Sequence, residues 1–209
     1  MTEAMYKPDA IDLSQIVTED DEPVDNMFSA YQQRLLVEPL YSAWKPDRTF
    51  MANANVGVFE SPYEPPIVPD MWLSLDVTPP ENWQIRERRA YFIWEFLKAP
   101  EVVVELVSNR KGGEATHKVN RYERLRIWYY VVYDPGLYLS DQALKLYEYT
   151  IGGYRLRDDA YLEHVGLRLT VWEGIYEQVR DRWLRWCFPD GRLIPTGAER
   201  AETLAAQLR

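Results

Sequence analysis

The chain has 209 residues, 46% hydrophobic and 14% aromatic, enough to bury one core of its own; this excludes disorder throughout and fits a single domain with modest appendages. The formal charge is -9, but Glu3, Asp9, Asp12, Glu19, Asp20, Asp21, Glu22 and Asp25 oppose only Lys7 within Met1–Ala30, so the remainder is close to neutral. That balance excludes an overall basic nucleic-acid footprint and leaves room for a local phosphate-binding patch.

Cys187 is the single cysteine and cannot form an internal disulfide, and Met1–Ala30 has no basic leader followed by an apolar core; a reducing, cytoplasmic setting is expected. The apolar runs around Val102–Val107 and Trp128–Tyr133 are strand-sized, short of the roughly 20 residues a membrane-spanning helix needs. A soluble protein is expected.

In chain order, residues 1–26 read as an acidic, aperiodic tail. Met27, Tyr31 and Leu35 recur at helical spacing and predict a helix toward Trp44 that Pro39 bends or ends. Strand signals follow at Thr49–Glu60, Pro69–Val77 and Ala90–Phe96, separated by proline-rich or charged turns. Glu101–Ser108, EVVVELVS, is apolar on both faces apart from its ends and Glu105, which marks a central buried strand.

Glu114 to about Arg126 reads as a helix carrying Val119, Tyr122 and Leu125 on roughly one face, and Trp128–Asp134 as a second buried strand ending at Pro135-Gly136. The order strand, helix, strand implies a crossover that makes the two strands parallel. Leu144–Thr150, Tyr154–Asp158 and Leu167–Trp172 suggest an antiparallel meander. Trp183–Phe188 and Arg192–Ile194, joined by Pro189-Asp190-Gly191, predict a hairpin, and Ala198–Leu208 a short amphipathic helix. The expected organisation is a tail at 1–26, a main domain at 27–181 and a C-terminal hairpin and helix at 182–209.

Glu105 is the most informative residue, since a bare carboxylate amid VVVELVS is costly to bury and needs a partner. It is either a protonated or salt-bridged structural residue or a ligand. Asp70, after Pro69, is by itself an ordinary turn or solvated residue. Brought together at the ends of neighbouring strands, the two carboxylates repel unless a divalent cation lies between them, and oxygen-only ligation favours Mg²⁺ or Mn²⁺. Lys118, one turn into the following helix, either escapes to water or directs its ammonium over the sheet end, where it would neutralise charge on a phosphate or orient an attacking water.

Other constellations fail. His117 and His164 lack the spacing and cysteine partners of a zinc site, Ser108 has no GxSxG context, and Gly112-Gly113 after Lys111 lacks the phosphate-loop pattern. Arg86, Arg88 and Arg89 around Glu87, and Arg110 with Lys111, are solvated loop charges by default and phosphate contacts in the alternative.

The ordered runs PDMWLSLDV, WEFLKAPEVVVELVS, ExxxKxxRY and WYYVVYDPG resemble a bacterial family of putative restriction endonucleases within the PD-(D/E)xK superfamily, formerly a domain of unknown function, over about Met27–Gly174. The resemblance implies an α/β fold: a restriction-endonuclease-like mixed β-sheet flanked by helices, here with additional antiparallel strands and the C-terminal hairpin and helix. It implies Asp70 as the first acid, Glu105 as the second and the Leu106 carbonyl as a further metal ligand. The superfamily's usual lysine position is Val107 here, and the family's relocated lysine maps to Lys118; Ser108 matches the family serine. The loop NRKGG replaces a Pro-Ser-Thr pattern, and Glu114 stands where Asp is common.

The implied activity is Mg²⁺-dependent hydrolysis of DNA phosphodiesters by a metal-activated water. The competing reading is a non-catalytic homodimeric binding or assembly module that keeps the fold. Convergence of Asp70, Glu105 and Lys118 favours the enzyme. A homodimer is expected in either case, because two-fold association places two sites on one duplex.

Overall fold

The computed structural model describes residues 26–82, 84–85, 88–108 and 113–208, the side chains of 113–117 excepted. The expectations for the tail at 1–25, for Arg86, Glu87, Arg110, Lys111 and Gly112, and for the side chains of Glu114 and His117 lie outside the described residues.

Helix α1 (Met27–Ala43) starts where Asn26 Oδ1 accepts the Ser29 N–H at 3.0 Å, satisfying one of the orphan donors of a first turn. Pro39 does not end it. The ring removes one N–H from the ladder, yet the helix runs on to Ala43 and closes with the Trp44 N–H on the Pro39 carbonyl.

The run Thr49–Glu60 is two strands rather than one. Asn55 adopts a left-handed backbone, φ 52°, which breaks the extended chain into β1 (Phe50–Ala54) and β2 (Val58–Phe59); asparagine tolerates that conformation better than most residues. β3 (Met71–Leu75) stops at Asp76, again left-handed. Ala90–Phe96 is likewise not a continuous strand: β4 is only Tyr91–Phe92, followed by the single turn α2 (Ile93–Phe96) and left-handed Leu97. Tyr91 explains the shortening. Its hydroxyl bonds Ser74 Oγ at 2.9 Å and donates to the Lys98 carbonyl at 3.1 Å, so the chain doubles back within a few residues.

β5 (Val102–Leu106), α3 (Gly113–Arg124) and β6 (Tyr129–Tyr133) form the expected crossover, with β5 and β6 parallel and Glu105 opposite Val132. β7 (Leu144–Thr150) and β8 (Gly153–Leu156) complete a six-stranded mixed sheet in the order β1-β3-β5-β6-β7-β8, antiparallel everywhere except at β5-β6. β9 (Tyr161–Leu162), β10 (Leu167–Tyr176) and β11 (Val179–Cys187) form a separate antiparallel sheet. β10 and β11 are joined at Glu177-Gln178, both with positive φ. That geometry normally calls for Asn or Gly, which is why the sequence does not announce this long hairpin. The predicted C-terminal hairpin is a short continuation, with Ile194 donating to the Trp186 carbonyl at 2.9 Å and Phe188 to that of Arg192 at 2.8 Å.

The six-stranded sheet buries both faces. One packs Val102, Val104, Val131 and Leu146 against Leu36 and Leu40 of α1 and against Leu167, Leu184 and Trp186 of the second sheet. The other packs Trp72, Val103 and Tyr130 against Tyr122 of α3. This double burial makes Val102–Val104 apolar without alternation. Gln32 pins α1 to β11, donating to the Leu184 carbonyl at 2.8 Å and accepting its N–H at 2.9 Å.

Helix α4 (Gly197–Gln207) is held by charge rather than by a buried apolar face. Thr196 and Glu199 form a reciprocal capping box, and the same Glu199 carboxylate takes a bidentate pair from Arg185 at 2.7 and 2.6 Å. The Arg185 side chain is 2% exposed and that of Glu199 41%. Burial opposes ionisation of Glu199, but the bonds from Arg185 and the Thr196 backbone outweigh it and hold its pKa below the usual 4.5. A depressed folded-state pKa contributes stability above the unfolded value that is lost as pH falls through the folded one. Glu199→Gln should therefore flatten the acid limb of a stability-against-pH curve below about pH 4.5, and should cost about 2 kcal/mol at pH 7 by leaving a buried guanidinium underpaired. Urea denaturation across pH checks this; parallel acid limbs for the two proteins would remove Glu199 from the account.

Candidate active site

Alternation along β5 settles where its carboxylate points. Val102 and Val104 enter the core on the α1 side, Val103 enters the core on the α3 side, and Glu105 shares the face of Val103. α3 lies over that face. Lys118 and Tyr122, one helical turn apart, both reach Glu105: Lys118 Nζ donates to Oε2 at 2.8 Å, and the Tyr122 hydroxyl donates to Oε1 in a short bond. Lys118 also donates to the Val68 carbonyl at 3.1 Å, which ties α3 to the segment leading into β3.

Asp70 sits at that segment's end, immediately before β3. Its Oδ2 accepts the Leu106 N–H at 2.6 Å, and its Oδ1 accepts from Gln33 Nε2 of α1 at 3.3 Å. Val107 N–H bonds the Tyr133 carbonyl on the β6 side, so Leu106, alternating with it, directs its N–H and its carbonyl toward β3 and Asp70. Asp70 is near enough to act on the Glu105 carboxyl. Asp70, Glu105, Lys118 and the Leu106 backbone thus come together at the adjoining ends of β3 and β5. Among the described residues, no group of three or more His, Cys, Asp or Glu side chains is placed to hold a metal; the protein offers two carboxylates and a carbonyl.

Burial dominates the electrostatics. Desolvation pushes the Glu105 carboxyl above its ordinary value, against the Lys118 charge and the hydrogen bonds from Lys118 and Tyr122. Desolvation, reinforced by Glu105, pushes Tyr122 well above the usual phenol range, so Tyr122 remains a donor. The Glu105 side chain is 13% exposed and that of Lys118 31%. Both border a cleft of about 610 Å³ between α3 and the β6-β7-β8 end of the sheet, also lined by Val107 and Ser108.

Two supporting residues escape a reading of the sequence. Gln33, 6% exposed in α1, bridges Asp70 and Asn55; the adjacent pair Gln32-Gln33, both buried on a helix, is the only hint of it. Tyr122 is legible as a helix-face aromatic, but its hydroxyl's partner is not. The remaining candidates lie elsewhere. His164 lies tilted against Trp128 with ring centroids 4.0 Å apart, and Arg88 and Arg89 bond the Glu81 and Gln84 carbonyls of their own loop.

If Tyr122 and Lys118 share the task of holding Glu105, Tyr122→Phe removes one hydrogen bond to a buried charged group, a loss of about 1.5–3 kcal/mol. In a protein of this size that corresponds to a melting midpoint lower by roughly 3–10 °C in metal-free buffer. An unchanged midpoint would mean that Lys118 alone suffices.

The chain matches the Uma2 family model, described as Putative restriction endonuclease, over residues 21–174. No curated protein and no solved structure matches. No helix among the described residues is long and apolar enough to cross a membrane.

Proposed function

The chain belongs to the Uma2 family of putative restriction endonucleases, and from that premise we propose that it is a divalent-metal-dependent endonuclease that hydrolyses DNA phosphodiester bonds. The observation that carries the reading is the convergence of Asp70 and Glu105, both partly buried, with Lys118 Nζ 2.8 Å from the Glu105 carboxylate. A structural carboxylate needs one counter-ion. Here a second acid is set against the first, at the border of an open cleft, which is the arrangement a cation would relieve.

The donor set fits a hard ion. Asp70, Glu105 and the Leu106 carbonyl are all oxygen, and Mg²⁺ or Mn²⁺ with retained waters needs few protein ligands. When bound, such an ion would polarise a phosphoryl oxygen and acidify a water for in-line attack. The protein's own groups do the positioning. Gln33 and the Leu106 N–H fix Asp70, Tyr122 orients Glu105, and Lys118, freed from Glu105 by the cation, would turn its ammonium to the phosphate and offset the charge that develops there. Symmetric pairing of two chains, testable by sedimentation, would bring two such sites to one duplex.

Purified protein should nick or linearise plasmid DNA with Mg²⁺ or Mn²⁺ and not with EDTA. Glu105→Ala and Lys118→Ala should each lower the rate by at least about a hundredfold, a loss near 3 kcal/mol of transition-state stabilisation. Mn²⁺ should also raise the wild-type melting midpoint by several degrees, as mass action at saturating ligand requires, and leave Glu105→Ala unmoved. Cutting that survives both substitutions would place the activity elsewhere; absence of both cutting and metal stabilisation would favour a non-catalytic binding or assembly module.

A further inference from the structure

Glu105, Leu106 and Lys118 line the 610 Å³ cleft, and the other residues lining it are not among the candidate cation ligands. Its volume is within the range of small-molecule sites, roughly 300–1,000 Å³, and its composition is specific. The floor is aromatic: Tyr130 of β6, Tyr147 of β7 and Tyr154 of β8 line it, with the Tyr147 and Tyr154 rings 5.7 and 5.8 Å from that of Tyr130.

Asn120 of α3, Gln142 of the β6-β7 connection and Lys145 of β7 supply polar groups around this floor. No side-chain hydrogen bond or ion pair joins any of the three to another described residue. Two amides able to donate and accept, set beside stacked rings, suit a flat heteroaromatic ligand with hydrogen-bonding edges. An alkyl chain would leave the amides unused. A bare phosphate would leave the rings unused.

The rim supplies a second, independent observation. Leu137, Tyr138 and Leu139 are each 44% exposed, an apolar triplet presented beside the opening. They are not slack: Asp134 accepts the Tyr138 N–H at 2.9 Å and the Leu139 N–H at 2.7 Å, and the Tyr138 ring lies where a side chain on Gly136 would stand. Apolar side chains held rigidly at the edge of a nucleic-acid site act as wedges between bases.

We infer that the cleft receives one nucleobase turned out of its stack, adjoining the phosphate at Asp70, Glu105 and Lys118, with Tyr147 and Tyr154 as the stacking platform, Asn120 and Gln142 reading the base edge, and the loop Leu137–Leu139 prising the stack open. The inference rests on the nuclease reading for its ligand class and goes beyond it by naming how the substrate is presented. A single captured base also suits a domain near neutrality, because edge hydrogen bonds and stacking replace part of the phosphate contacts that a basic groove would provide. The base is drawn either from a single strand or from a duplex by extrusion; the chemistry of the cleft is the same for both.

The test is binding, read without cleavage. With Ca²⁺ in place of Mg²⁺, the four deoxynucleoside 5′-monophosphates and deoxyribose 5-phosphate are titrated into ¹⁵N-labelled full-length protein. At least one mononucleotide is expected to shift the side-chain amide resonances of Asn120 and Gln142, and deoxyribose 5-phosphate to leave them in place. The double variant Asn120→Ala, Gln142→Ala, whose changes are at exposed positions, should bind that nucleotide at least tenfold more weakly while keeping the Mn²⁺-dependent rise in melting midpoint. Oligonucleotides then identify the source. Preference for a mismatched over a matched duplex indicates extrusion, and preference for a single strand over both indicates single-stranded substrate; each supports the inference.

Shifts confined to the Glu105 and Lys118 end, or equal binding of deoxyribose 5-phosphate and the nucleotides, would overturn it. The two readings fail separately. Nucleotide binding with amide shifts but no metal-dependent cutting would keep the cleft and remove the nuclease, whereas cutting whose rate and sequence preference ignore the double variant would keep the nuclease and remove the base pocket.

Discussion

A carboxylate withdrawn from water at the end of the central strand is the constraint on which the rest of the molecule turns. Glu105 continues the buried run Val102–Val104, and an unpaired charge there would be strongly unfavourable. The structure meets that cost with two partners from α3, Lys118 and Tyr122, while Asp70 stands close by at the entry to β3. Each partner exists because of a fold-level decision. The β5-α3-β6 crossover lays α3 over the face to which Glu105 points, and the antiparallel β3-β5 pairing brings Asp70 to the Leu106 N–H.

The same arrangement couples the site to the far side of the sheet. Neighbouring glutamines of α1 face different tasks: Gln32 locks the helix to β11 through both backbone groups of Leu184, and Gln33 reaches Asp70 and Asn55. The second sheet thus touches the acidic pair's supports both through α1 and through its packing on Val102 and Val104 of β5.

Glu105 borders the cleft with Asp70 close to it, while Lys118 is shared between Glu105 and the Val68 carbonyl. The Lys118 ammonium offsets part of the charge of Glu105. Tyr122 bonds Glu105 and Gln33 bonds Asp70.

Sequence alone determined the elements whose signal is local. Unbroken apolar runs at Val102–Val104 and Tyr129–Val132 mark strands buried on both faces, the helical spacing between them marks α3, and a lone glutamate in the first run marks itself by its cost. From these the parallel crossover and Glu105 as a candidate were legible; the mixed sheet and the roles expected of Asp70 and Lys118 came from the family resemblance. The tertiary structure decided what depends on partners distant in the chain. Asn55 splits one expected strand into two with different neighbours, and Tyr91 ends another by tying Ser74 to Lys98. Glu177-Gln178 turns the β10-β11 hairpin without glycine or asparagine. Gln33, Tyr122 and the tyrosine floor acquire their roles only when α1, α3 and β6-β8 are packed together. Periodicity records which face of an element is apolar; the partner of a buried polar atom is fixed by three-dimensional proximity, which no local pattern encodes.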